Sequence, residues 1–199
     1  MKLYKLTDAE GRTGNEMQWG VGITNHAAGK GVKLCSSGVI HAYTSLLLAE
    51  LMDLAHGSYG ACKLAWEADG EVVSSDGTKV GCKSLTTICE VTNQLPILTR
   101  TQRTAFAILS AQEVLLKTNV KWLKWHKWAE QWLDGTDWSL YDAASDAAAD
   151  AASAAASYAA YAAAAADAAS YAAAAYADMD HQRIDFEALA QRALTFRGE

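Results

Sequence analysis

Between Ala143 and Ala177, 24 of 35 residues are alanine, and this tract restricts the chain more than any other feature. Alanine has the highest helix propensity of any residue, yet its methyl group buries too little area to hold a core together. The tract therefore reads as helix that must lean on larger side chains. If residues 142–177 run as one helix, they extend roughly 50 Å at 1.5 Å per residue. No Gly or Pro marks a reversal, so one long helix and a helical hairpin both satisfy the pattern. In helical geometry Asp146, Asp150, Ser153, Ser157 and Asp167 share one side. Tyr158, Tyr161, Tyr171 and Tyr176 add large amphipathic rings that can seat against the rest of the chain or a partner, and a disordered solubilising tail has little use for them. Because Asp146, Asp150 and Asp167 interrupt the tract and alanine contributes little to insertion, it is not read as a membrane span.

Charge divides along the same line. Residues 1–140 carry 14 Lys+Arg and 14 Asp+Glu, whereas residues 141–199 carry three Arg against nine Asp+Glu and hold the whole net charge of −6. Such a balance argues against a generally basic nucleic-acid-binding surface and favours a basic partner for the acidic half. Cys35, Cys62, Cys82 and Cys89 form no close metal-ligand pair. The opening Met1-Lys2-Leu3-Tyr4-Lys5 is not the start of an apolar signal run, so reduced thiols in the cytoplasm are expected.

The remaining pattern predicts an α+β protein, with a mixed α/β domain at residues 1–95 and a helical region at residues 96–199. Leu3 to Leu6 reads as a strand, and the glycines from Gly11 to Gly38 suit turns and irregular strands. Leucines and Met52 at helical spacing from Ser45 to Ala55 predict a helix with Ser45 or Thr44 as its cap. Cys62 to Val73 and Lys79 to Val91 read as the arms of a hairpin around Asp76-Gly77, a turn pair in which glycine accepts positive φ. After Pro96, Thr99 can cap a helix over residues 100–116. A second helix, Val120 to Leu133, places Trp122, Trp125, Trp128 and Trp132 within about one third of its circumference. That stripe reads first as an apolar packing surface. Phe186, Leu189, Ala190, Ala193 and Leu194 predict a short closing amphipathic helix.

Candidate chemistry is sparse. Cys35 with His41, aided by His26, Asp53 or His56, has the residue types for a thiolate nucleophile, a base and an orienting group. Glu67, Asp69 and Glu71 repeat with the period of a strand face and offer carboxylates for acid/base work, although such a face is more often simply solvated. Cys62, Cys82, Cys89 and His56 lack standard zinc spacing, so no metal is expected. With no phosphate-binding loop, nucleophile elbow or HExxH motif, no cofactor is expected either. The segment from Lys117 to Trp128 interleaves lysines and indoles in a way that suits stacking on unpaired bases, but the same indoles also suit core packing.

The strings MKLYKLTDAEG at residues 1–11, GVIHAYTSLLLAELMD at 38–53, LAWEADGEVVSSDGTKVGC at 64–82 and SLTTICEV at 84–91, followed by the alanine tract, carry a likeness. In their order the chain resembles an uncharacterised family of small phage and bacterial proteins with a WExxG-containing first region and an alanine-rich helical tail. The resemblance covers about residues 1–115 and brings no catalytic residue set with it. It implies a host-directed, anti-defence protein, such as an inhibitor of a CRISPR effector. The leading expectation is thus a non-enzymatic protein-binding inhibitor that meets a host protein through Asp146, Asp150, Asp167, Tyr158, Tyr161 and Tyr171. The alternatives are a small nucleotide-processing enzyme centred on His41, Tyr43 and Glu67, with Cys35 as a nucleophile, and a nucleic-acid module using the Lys-Trp helix.

Overall fold

The computed structural model describes residues 1–14, 17–56, 59, 62–118, 123–136 and 184–196. The alanine-rich tract, Trp122 and all six expected partner-binding residues (Asp146, Asp150, Tyr158, Tyr161, Asp167 and Tyr171) lie outside the described residues.

Strands occupy the first part and helices follow, as an α+β chain requires: β1 (Lys2–Thr7), β2 (Arg12–Thr13), β3 (Met17–Gln18), β4 (Thr24–His26), β5 (Ile40–Ala42), α1 (Leu46–His56), β6 (Leu64–Asp69), β7 (Val72–Ser75), β8 (Val80–Cys82), β9 (Ser84–Glu90), α2 (Arg100–Thr118), α3 (Leu123–Asp134) and α4 (Phe186–Ala193). The organising element is the hairpin expected around Asp76. Its outgoing arm is β6 and β7, its returning arm β8 and β9, and it bends where Gly70 faces Ser84. A Cβ on Gly70 would stand 2.7 Å from the Ser84 carbonyl oxygen, so only glycine lets the arms approach this closely. On one side of the bend, β6 and β9 belong to a four-stranded sheet of order β1-β6-β9-β4, and on the other, β7 and β8 join β5 in a three-stranded sheet. Paired backbone hydrogen bonds of 2.9 Å between Tyr4 and Tyr43 tie β1 to β5 and link the two sheets a second time.

Between the sheets lies a strand core of Leu3, Trp19, Ile40, Ala42, Ala68, Val80, Cys82 and Leu85. The hairpin turn is set by Asp76, whose Oδ1 accepts from Thr78 N at 2.9 Å, Thr78 Oγ1 at 2.7 Å and Lys79 N at 3.0 Å. Gly77 follows at φ +88°, the left-handed region that glycine enters without steric cost.

The helices begin and end on local signals. Ser45 Oγ accepts from Leu48 N at 3.1 Å and caps α1. Thr99 and Gln102 form a reciprocal capping box at the start of α2, with bonds of 3.2 Å and 3.0 Å. Gly135, at φ +78°, closes α3 with Gly135 N to Trp132 O and Thr136 N to Gln131 O, the paired bonds of a Schellman cap. Asp185 caps α4 through Ala188 N at 2.9 Å.

A helical core joins Leu6, Tyr43, Ala65 and Val91 to the apolar faces of α1, α2, α3 and α4, including Phe106, Leu109, Trp132, Ile184, Phe186 and Leu189. Residue 95 thus marks a change of element type, and the apolar cluster runs across it. Of the indole stripe, Trp132 is 4% exposed within this core, and Trp125 and Trp128 lie on the same helix. Among the described residues, no helix is long and apolar enough to cross a membrane.

Candidate functional site

Cys35 sits in the loop between β4 and β5 with φ +57° and an exposed side chain. The loop is held from below by Lys83, whose ammonium donates to Gly31 O and, at 2.6 Å, to Gly38 O. Cys35 and His41 do meet, but through the backbone: Cys35 N donates to His41 Nε2 at 2.9 Å. The lone pair that would take a thiol proton is therefore engaged by an amide. Burial, then Lys79 and Lys5, push His41 down to about 4, so its ring is neutral at pH 7 and a weak base.

Tyr43 and His56 converge with two residues the sequence did not single out as partners. Tyr43 Oη lies 3.1 Å from His56 Nδ1, with ring centroids 6.1 Å apart and planes inclined by 22°. On the other side of the imidazole, Lys79 Nζ is 2.8 Å from Nε2, and Asp76 Oδ2 is 3.7 Å from Lys79 Nζ. The Lys79 and Asp76 side chains are both 1% exposed. An ammonium has only donors, so Nε2 accepts, the ring proton sits on Nδ1, and Tyr43 Oη accepts it. Burial, reinforced by Lys79, holds His56 down to about 3, in keeping with this neutral tautomer. Burial, followed by Asp53, Tyr59 and Asp76, raises the Tyr43 phenol well above its ordinary range. Lys5 completes the seam: its Nζ donates to His41 O at 2.8 Å and lies 5.3 Å from the Trp19 ring centroid. Desolvation lowers it to about 8.

Asp53, expected as an orienting acid, serves a separate ion network. Lys63 Nζ lies 3.0 Å from Asp53 Oδ2 and 3.1 Å from Glu50 Oε2, while Arg103 binds the Glu50 carboxylate and its backbone carbonyl. The Glu50–Lys63 pair meets the distance of an ion pair without hydrogen-bond geometry at Oε2. This network ties α1 to α2 and to the entry of β6.

Glu67 pairs with Lys2 at 2.8 Å, and Asp69 with the N-terminal ammonium at 2.7 Å, which lowers the Asp69 carboxyl below its usual range. Glu71 lies beyond the strand end and is exposed. Trp66 and Ala68, on the opposite face of the strand, are buried. Glu67 and Tyr43 each oppose Tyr4 in the ladder, two strand spacings apart, or roughly 10 Å. No hydrogen bond among the described residues joins Glu67 to His41 or Tyr43, so these three do not form one constellation. His26 is exposed on β4. The described cysteines are free, burial raises the Cys82 thiol, and no group of three or more His, Cys, Asp or Glu among the described residues is placed to hold a metal ion.

Lys79 and Glu50 had readable signals. Lys79 opens the apolar run Val80-Gly81-Cys82 of a strand arm, and Glu50 and Asp53 stand three apart inside a leucine-rich helix. Carboxylates at that spacing on an apolar face need buried counterions. Compared with protein-family models, curated proteins and solved structures, the chain matches none.

Proposed function

We propose that this chain is a non-enzymatic protein-binding inhibitor whose acidic alanine-rich segment meets the partner. The observation that carries this reading is the course of the chain around that segment. It leaves the helical core after α3, where Ala129 and Trp132 are buried, and returns to the same core at Ile184 and Phe186. Residues 137–183 are thus an insertion between two anchored ends. They contain seven Asp and one Arg, while the rest of the chain balances 16 Lys+Arg against 16 Asp+Glu. All the net charge therefore falls in one segment, which suits a basic protein surface, including one that ordinarily holds nucleic acid.

The polar groups support the same reading. His41 accepts a backbone N–H, Tyr43 and His56 bond to each other, and Glu67 pairs with Lys2, so the candidate acid/base side chains are engaged in holding the fold. Burial of Trp132 favours packing over base stacking for the indole stripe. The resemblance to phage and bacterial proteins makes a host defence complex in the cytoplasm, such as a CRISPR effector, the first partner to try.

The test is capture of the full chain's partner from a bacterial host lysate, with the mass of the intact complex measured. Binding is then compared with D146N/D150N/D167N, which removes three charges at nearly constant size. Affinity falls and its salt dependence flattens if the acidic segment carries recognition. Equal affinity across the salt series defeats the electrostatic reading.

A further inference from the structure

We propose that the Lys79–His56–Tyr43 chain is an acid-operated latch: a proton on His56 expels the Lys79 ammonium, loosens the Asp76–Lys79 turn and releases α4. Residues 137–183 rejoin the fold at α4, so the latch governs how firmly one end of that segment is held. It stands whether or not the segment binds a partner.

The geometry provides each link. His56 ends α1, and its Nε2 accepts from Lys79 at 2.8 Å inside the protein. A proton on Nε2 replaces that acceptor with a second donor and sets two cations against each other in a poorly solvated site. Among the described residues, His56 is faced by His41 on β5, by Tyr43 just after that strand, and by Asp76 and Lys79 of the turn, with Asp53 one helical turn away on α1. Asp53 is already paired with Lys63, and Asp76 is the carboxylate of the turn itself, where its Oδ1 accepts three bonds. Displacing Lys79 therefore strains the turn that Asp76 organises. The turn touches α4 directly, since a Cβ on Gly77 would fall 2.9 Å from Phe186 Cδ2 and 3.3 Å from Ile184 O. Beyond that contact, α4 is held by Ser45 Oγ donating to Glu187 Oε2 at 2.7 Å and by Gln102 Nε2 donating to Leu194 O at 3.1 Å.

Proton linkage gives the latch a signature that general acid weakening lacks. With α4 closed, burial and Lys79 hold His56 at about 3. Once the turn opens, the ring returns toward its ordinary value near 6.5. Below that value, opening takes up one proton, so the opening constant rises about tenfold per pH unit. Global unfolding also frees His41, held at about 4 in the fold, and rises about a hundredfold per pH unit over the same interval.

Native-state hydrogen exchange of the full chain between pH 6.5 and 5, above the ordinary carboxylate range, reads both slopes. Protection factors of the α4 amides should fall about tenfold per pH unit, and those of the most protected β1 and β6 amides about a hundredfold. His56→Gln, which preserves an acceptor for Lys79, should flatten the α4 slope. His41→Gln should leave the α4 slope intact and reduce the global slope to tenfold. A pH-independent α4 opening in the wild type, or a tenfold slope retained in His56→Gln, overturns the latch. If His56→Gln does not fold, the wild-type ring nitrogens decide by NMR. The latch requires a proton on Nδ1 at pH 7 and α4 amide shifts that titrate with the His56 ring. A proton on Nε2, or α4 shifts indifferent to that titration, contradicts it.

Discussion

Among the described residues, the strand core takes eight buried residues from Leu3 to Leu85, and all but Trp19 sit on the strands of the two sheets. Among the described residues, the helical core takes 20, reaching from Leu6 to Ala193. Most of the strand core follows from one hairpin and the strands zipped onto it. The helical core closes only when a segment near the end of the chain docks against α1 and α2. One core is thus assembled largely from sequence neighbours, while the other depends on parts separated by the alanine-rich insertion.

Truncation separates the two most strongly. Phe186→Ala and Trp132→Ala each remove a large ring from the helical core and should cost about 3–5 kcal/mol, measured by urea unfolding. Leu85→Ala, a smaller deletion in the strand core, should cost about 3 kcal/mol. If Phe186→Ala instead proves nearly neutral, α4 is an accessory to the helical core.

Acid acts on the polar seam between the cores. His41 and His56 are held neutral in the fold at about 4 and about 3, whereas in the unfolded chain they take up protons below about 6.5. Their contribution is therefore fully present above pH 6.5 and is lost as pH falls, at about 1.4 kcal/mol per pH unit for each ring. Lys5 works in the same direction at higher pH. Lowered to about 8 in the fold, it makes stability rise between pH 8 and its ordinary value of about 10.4, because the unfolded chain there binds the extra proton. Urea midpoints across pH 5–10 test both windows, and Lys5→Met should remove the alkaline rise.

Smaller effects sharpen the boundary between the cores. Ser45→Ala removes the α1 cap and a bond to Glu187 and should cost about 1 kcal/mol. Cys35→Ser should change stability by less than about 0.5 kcal/mol and leave partner binding intact, because only the Cys35 backbone engages His41. A measured chemical turnover abolished by Cys35→Ser or His41→Ala, with fold and binding unchanged, contradicts the non-enzymatic reading.

Elements whose signals are local were legible in the sequence. Asp76-Gly77 marked the turn, Ser45 and Thr99 marked caps, and Phe186, Leu189, Ala190 and Ala193 marked the closing helix. The polar seam was not legible, because Lys79 and His56 lie on different elements and meet only when the hairpin folds against the end of α1. The pairing of β5 with β8 and the Tyr4–Tyr43 bridge are equally non-local, and nothing in the composition of either strand specifies its neighbour. Cys35 and His41 offered the residue types for a nucleophile and base, and the structure brings them together. Their contact runs through an amide, a distinction that residue types do not encode.

The central claim is that one cooperative fold spans both cores despite the insertion between α3 and α4. Tryptophan supplies native reporters on each side: Trp19 and Trp66 in the strand region, Trp132 in the helical core. With 5-fluorotryptophan incorporated and the resonances assigned, fluorine NMR through a urea titration follows all three in one sample. Trp19, Trp66 and Trp132 should convert at a single midpoint. Conversion of Trp132 at lower urea, while Trp19 and Trp66 keep their native resonances, would show two independently folding units and contradict the account.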